Sequence, residues 1–287
     1  MSKIKCWVEA MRLRTLPVSL AGVVLGWGYA GLYGTVRPAA IALCFMVALF
    51  AQIASNFANE YYDFRNGLDK AGREGPRRGV TEGDITPGAM LAATYITLAM
   101  ACVAGLCLLF YGPWWLVAVG IAVAAGALAY STGPYPLSHH GLGEVAVILF
   151  FGIVPVNFTC WLGSGEWGGA CAAGSLALGL LGANVLIVNN YRDADDDRAA
   201  GKRTLAVKAG ARLMPWLYAA LSLAAMALMF GQWRQAGVWW VPVVFAVALC
   251  GIAAAMRRRK GRTLTPLLGM TAVAMLLYSI LFCIFCH

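Results

Sequence analysis

The chain has 287 residues, 61% of them hydrophobic and only 12% charged, with a mean hydropathy of +0.71. This excludes an ordinary soluble globular protein. The net charge of +9 is read as membrane topology plus attraction for anions, because the basic residues cluster between apolar runs and form no nucleic-acid-binding face.

The gaps between charges define the predicted elements. No charged residue lies between Arg14 and Arg37, Arg37 and Glu60, Glu144 and Glu166, Glu166 and Arg192, Arg212 and Arg234, Arg234 and Arg257, or after Arg262, and these gaps span 21 to 25 residues. That is the length of a bilayer-crossing helix. The uncharged stretch from Ile85 to Gly143, 59 residues, holds two more helices with Tyr111-Gly112-Pro113 as the turn. The predicted fold is therefore an all-α integral membrane protein with nine transmembrane helices around a central cavity open to the cytoplasmic face. With a cytoplasmic N-terminus, every basic residue except Arg37 and Arg234 and every acidic residue except Glu166 lies inside, in line with the positive-inside rule.

In chain order, residues 1–14 read as an amphipathic lead-in on the inner surface, with Trp7 as interfacial anchor. The first span runs from about Leu16 to Gly34. The second starts near Pro38 and ends in Asn59-Glu60-Tyr61-Tyr62-Asp63, followed by Asp69 and a Gly-rich basic loop to Gly79. Two spans then lead to the turn-rich Tyr130-Ser131-Thr132-Gly133-Pro134-Tyr135-Pro136. The fifth begins near Glu144, and the sixth runs from about Gly169 into Asn189-Asn190-Tyr191-Arg192-Asp193 and on to Asp197. Three more spans follow, with Arg257-Arg258-Arg259-Lys260 as a solvated topology signal. Cys283-Ile284-Phe285-Cys286-His287 matches a haem-attachment pattern, but it ends a membrane helix with no room for a haem-wrapping domain and is read as helix-end cysteines. No haem and no nucleic acid are expected as partners.

Asn59-x-Tyr61-x-Asp63 and Asn189-x-Tyr191-x-Asp193 form a weak internal repeat 130 residues apart, each closing an inward-running helix. On a helix, residues four apart share a face roughly 6 Å along the axis. Each cluster thus offers oxygen donors to a hard cation, and the trailing cations suit an anion. A diphosphate is repelled by bare carboxylates, and magnesium resolves the conflict by bridging Asp and phosphate oxygens. On this reading Lys70, Arg73, Arg77 and Arg78 on the first loop and Arg198, Lys202 and Arg203 on the second complete the cradle.

The motifs resemble the UbiA superfamily of membrane-embedded prenyltransferases, within it the 1,4-dihydroxy-2-naphthoate polyprenyltransferases. The resemblance covers essentially the whole chain as a single domain, 1–287, with repeated motifs at 56–79 and 189–208. It rests on Arg12-Leu13-Arg14-Thr15-Leu16-Pro17, Asn56 through Asp63, Gly75-Pro76-Arg77-Arg78-Gly79, Ser131 through Leu137, Gly141-Leu142-Gly143-Glu144, and Asn189 through Val207. Glu60 stands where Asp is commoner, and Asp69 lies six residues past Asp63 rather than four, as in the naphthoate branch. The resemblance implies a magnesium-dependent enzyme of the bacterial inner membrane, with two ions, that moves a polyprenyl group from its diphosphate to 1,4-dihydroxy-2-naphthoate with loss of CO2. It implies Asp63, Asp193 and Asp197 as catalytic. Metal ligands would be Asn59, Asp63, Asp69, Asp193 and Asp197. The diphosphate would meet Asn59, Lys70, Arg73, Arg78, Asn189, Lys202 and Arg203. Arg12, Tyr130, Tyr135 and Glu144 are acceptor-side candidates, with loop anchoring as the alternative for the last three. Other aromatic acceptors, 4-hydroxybenzoate or a haem or chlorophyll precursor, remain open. A secondary transporter is disfavoured because every charge maps to a helix end or loop, and a CDP-alcohol phosphotransferase because no Asp-Gly dipeptide occurs.

Overall fold

The computed structural model describes residues 3–69 and 77–286, and among these no strand occurs. Short α1 (Lys3–Ala10) leads into α2 (Leu16–Tyr33) and α3 (Pro38–Arg65). Next come α4 (Pro87–Cys107), α5 (Leu116–Ala129), α6 (Gly143–Val147) and α7 (Val154–Ser164), the last two joined by a π-helical segment over Ile148–Ile153. The chain continues through α8 (Gly169–Arg192), α9 (Ala194–Ala199), α10 (Leu205–Ala209), α11 (Met214–Gln235), α12 (Trp240–Met256) and α13 (Thr265–Phe285).

Seven stretches among the described residues are long and apolar enough to cross a membrane, so the chain is a multi-pass membrane protein. The predicted helices at Ile85–Gly143 and Arg234–Arg257 reappear unequally. α4 is full-length, but α5 has only 14 residues and α12 only 17. At 1.5 Å per residue these fall short of a roughly 30 Å hydrocarbon core. Proline sits in the first turn of α2, α3, α4, α7, α11 and α13, where its missing N–H is harmless.

Lipid gives apolar helices no reason to associate, so packing rests on small residues and buried hydrogen bonds. Gly26 of α2 lies so close to α7 that an added Cβ would stand 2.6 Å from the Val156 carbonyl oxygen, and Gly152 meets Gly179 of α8 backbone to backbone. The largest core joins α2, α8, α11, α12 and α13 around Leu25, Leu178, Trp233 and Phe282. Buried hydrogen bonds cross it: Trp233 Nε1 donates to Tyr278 Oη at 2.6 Å, and Asn184 Nδ2 to Ser222 Oγ at 2.8 Å. Cys283 Sγ likewise donates to the Val24 carbonyl.

Trp7 is half-buried. Its ring packs edge-on against Phe57 at 5.6 Å, and Cys6 and Ala10 are buried beside it, laying α1 against α3. Downstream of the described gap the first loop folds back, with Val80 and Ile85 joining Ile53, Phe57 and Met90 in the same cluster.

Beside the main core, α2 to α5 and the 143–164 span enclose an apolar cavity of about 530 Å³. Ser55, Tyr130, Val147 and Phe150 are among its lining residues.

Candidate active site

The last turns of α3 and α8 carry the two carboxylate clusters. α3 stays helical past its apolar run, which puts Asn59 and Asp63 one turn apart on the same buried face, 8% and 1% exposed. α8 stops at Arg192, and Asp193 is the hinge into α9. Its N–H still bonds back to Asn189, while its carbonyl accepts from Asp197 N–H at 2.8 Å. Acidic residues in the first turn of α9 suit the positive end of that helix. The turn closes with Lys202 N–H bonded to the Asp197 carbonyl at 2.8 Å.

Asp63 is the meeting point. Its Oδ2 accepts from Lys202 Nζ at 2.9 Å and lies 3.6 Å from Arg78, while its Oδ1 lies 3.3 Å from His139 Nε2. Lys202 belongs to the second motif and Asp63 to the first, so the two clusters stand within reach of one lysine side chain. Arg78 Nε also sits 3.2 Å from Asp69. A buried carboxylate is tolerated only when paired, and Lys202 and Arg78 supply the pairing.

Asn59 organises the first cluster. Its Oδ1 accepts from Arg12 and from Arg78 Nη2 (2.9 Å), and its Nδ2 donates to Ser131 Oγ at 3.1 Å and to Asp63 Oδ2 at 3.3 Å. Both lone pairs of its only oxygen thus face guanidinium groups, so here Asn59 holds cations rather than presenting a free ligand atom. Arg12 reaches it from a left-handed backbone (φ 53°, ψ 58°), a conformation costing a bulky residue about 1–2 kcal/mol. In the second cluster Arg192 grips Asp193 with two parallel bonds, Nε to Oδ1 at 2.7 Å and Nη2 to Oδ2 at 2.8 Å, and also donates to Asn189 Oδ1.

The remaining expected residues divide. Glu60 is 1% exposed and its Oε1 accepts from Val80 N–H at 3.0 Å, so it pins the returning loop. Arg77 turns away to an ion pair with Asp84, and Arg198 pairs with solvent-exposed Asp195 at 2.9 Å. Neither contacts Asp63, each being held by a carboxylate close to it in sequence. The Arg203 side chain is exposed, and its backbone N–H holds the His139 carbonyl at 2.7 Å. Lys70 and Arg73 lie outside the described residues. Tyr135, 54% exposed, stacks on the His140 ring. Tyr130 lines the cavity, and burial together with the Glu144 carboxylate pushes its phenol up, leaving it protonated.

Residues not anticipated are His139, Ser131, Asn190 and Arg192. His139 and Ser131 arrive from the loop after α5, far from Asp63 in sequence, and only the fold reveals them.

Among the described residues no three His, Cys, Asp or Glu side chains already form a metal cage. The donor set is nonetheless all hard oxygen, and magnesium typically takes one or two carboxylates plus substrate phosphate oxygens. Asp63, Asp69, Asp193 and Asp197 are carboxylate donors of that kind.

The model of the UbiA prenyltransferase family matches residues 16–280. The chain belongs to this family. A 1,4-dihydroxy-2-naphthoate octaprenyltransferase of Escherichia coli is 34% identical, the match covering 98% of this chain and 94% of the relative. A protein of the same description from Mycobacterium tuberculosis is 39% identical over 98% of this chain and 96% of the relative. The fold agrees with a solved UbiA homologue from Archaeoglobus fulgidus bound to GPP and Mg2+, with a TM-score of 0.71 at 16% identity, covering 98% of this chain and 99% of that one.

Proposed function

We propose that this UbiA protein transfers a polyprenyl group from a polyprenyl diphosphate to 1,4-dihydroxy-2-naphthoate, releasing diphosphate and CO2. The prenylated naphthalenediol it leaves is, once oxidised, demethylmenaquinone. The observation carrying this reading is the Lys202–Asp63 contact at 2.9 Å, which joins both carboxylate clusters beside an apolar cavity. Support for the naphthoate acceptor comes from the two bacterial relatives of that description.

In this proposal Asp63, Asp69, Asp193 and Asp197 hold two magnesium ions. The chemistry bound magnesium supplies there is neutralisation of charge building on the leaving diphosphate. Lys202 and Arg78, already within 3.6 Å of Asp63, turn to the phosphate oxygens, with Lys70, Arg73 and Arg203 around them. Asn59 and Asn189 keep Arg78 and Arg192 aimed. Ser55 lies one helical turn before Asn59 and lines the cavity, so a prenyl chain leaving the diphosphate enters apolar space directly. Phe150 and Phe151 on the cavity wall offer ring faces to the allylic cation, worth about 1–2 kcal/mol each when desolvated. A long tail continues into lipid. Arg12, Tyr130 and Glu144 form the acceptor side.

The same proposal takes the chain as one catalytic domain with repeated motifs at 56–79 and 189–208. It has nine membrane helices, the seven long spans plus α5 and α12, with the cavity and the N-terminus facing the cytoplasm across the bacterial inner membrane. The test is anaerobic incubation of the purified chain with octaprenyl diphosphate, magnesium and either 1,4-dihydroxy-2-naphthoate or 4-hydroxybenzoate, read by mass spectrometry. Decarboxylated octaprenyl naphthalenediol is expected. Transfer to 4-hydroxybenzoate alone would refute the acceptor assignment.

A further inference from the structure

Glu144 lies in the first turn of α6, at the inner rim of the cavity. It is 7% exposed, and its Oε1 accepts a hydrogen bond from Asn190 Nδ2 at 2.9 Å. Its other oxygen, Oε2, is buried and receives no hydrogen bond. Two residues on, Ala146 and Val147 line the cavity, as does Tyr130, whose hydroxyl lies within 3.6 Å of where a Cβ on neighbouring Gly143 would stand. A buried carboxylate with one oxygen fixed and the other unsatisfied is unfavourable until something donates to it. The diphosphate does not suit, being an anion. A phenolic hydroxyl does.

We propose that Glu144, oriented by Asn190, is the base that takes the proton from the acceptor hydroxyl adjacent to the carbon being alkylated. This rests on the naphthoate reading above. As Oε2 takes that proton, the O–H electron pair forms a carbonyl at ring C1. Ring C2 then bonds to the allylic carbon, whose C–O bond breaks with its electron pair leaving on diphosphate. The product of this step is a β-keto carboxylate. Its C2–carboxylate bond breaks, CO2 departs, the released pair restores the aromatic ring through the C1 oxygen, and Glu144 returns the proton there. No oxidant or further reactant is required. Asn190, which touches neither substrate, acts by holding Oε1 so that Oε2 faces the acceptor.

The test uses the full chain with octaprenyl diphosphate and 1,4-dihydroxy-2-naphthoate under anaerobic conditions. Glu144→Gln keeps the shape and an oxygen for Asn190 but takes up no proton. It should lower kcat by about 100-fold or more, the usual worth of a general base, while the KM for octaprenyl diphosphate stays within about twofold of wild type. Glu144→Ala should be equally slow, and added formate should restore part of its rate without affecting wild type or Asp193→Ala. Normal kcat in Glu144→Gln overturns the assignment, as does a Glu144→Ala enzyme that binds donor normally but ignores formate. If Glu144→Gln does not fold, Glu144→Asp decides. A raised acceptor KM with unchanged donor KM supports the proposal, and an equal rise in both overturns it. Normal product from both wild type and Glu144→Gln defeats this inference alone. Absence of naphthalenediol product from wild type defeats the proposed function with it.

Discussion

Replacing Lys202 by methionine keeps most of the unbranched side chain and removes the charge that ties the second motif to Asp63. The ammonium lies 2.9 Å from Asp63 Oδ2, with side-chain exposures of 10% and 1%. Stripping one partner from a fully buried ion pair costs about 3–5 kcal/mol. Asp63, however, keeps Arg78 at 3.6 Å, His139 at 3.3 Å and the Asn59 amide at 3.3 Å. The stability loss should therefore fall to about 1.5 kcal/mol, the low end of what one hydrogen bond to a charged group is worth. The catalytic effect should be larger. If Lys202 turns to the diphosphate, losing that contact removes about 1.5–3 kcal/mol of donor binding, a rise in Kd of about 10- to 150-fold. Steady-state kinetics at saturating magnesium, titrating octaprenyl diphosphate and naphthoate in turn, separates the two substrates. Donor KM should rise by that factor with acceptor KM unchanged. A donor KM within about twofold of wild type, or equal rises for both substrates, would show that Lys202 does not contact the diphosphate.

Three further outcomes follow from the geometry. Arg192→Leu removes both donors that Arg192 gives Asp193 and should destabilise the protein by about 3–5 kcal/mol, seen as lower thermal stability in detergent. Adding Asp193→Asn should recover part of this. Gly152→Ala would put a Cβ 2.4 Å from the Gly179 Cα and 2.5 Å from the Ser175 carbonyl. Forcing α8 away should cost at least about 1–3 kcal/mol by the same assay, and an unchanged melting temperature would show that the helices are not in backbone contact. Tyr135→Ala, at an exposed position stacked on His140, should leave both KM values and kcat within about twofold of wild type. A large rise in acceptor KM would return Tyr135 to the acceptor side.

Much of this architecture is written in charge spacing, because a charge inside lipid is expensive. The starts near Leu16, Pro38, Glu144 and Gly169 all reappear at helix boundaries. Charge gaps carry no information about where helical geometry changes within an apolar run. α5 is therefore shorter than its gap, and the π-helical turn at Ile148–Ile153 leaves no mark in hydropathy. The site was legible in its acids and less so in its cations. Asn59 and Asp63 share one helix, so their local arrangement follows from period alone, whereas Asp193 falls just past the end of α8. Which arginine faces them does not: Arg77 and Arg78 are adjacent and serve opposite sides of the loop. His139 meets Asp63 only through the fold of the loop after α5. Arg192 looked like part of a motif, yet it is the residue holding both oxygens of its neighbour Asp193.

The central claim is that one prenyl diphosphate spans both clusters. A crystal structure of this chain with manganese in place of magnesium and a non-cleavable thio analogue of octaprenyl diphosphate tests it most directly. Anomalous manganese peaks should lie against Asp63 and against Asp193 or Asp197, with the same diphosphate between them and Lys202 Nζ moved from Asp63 onto a phosphate oxygen. A diphosphate held by one cluster alone, with Lys202 still on Asp63, would contradict the account.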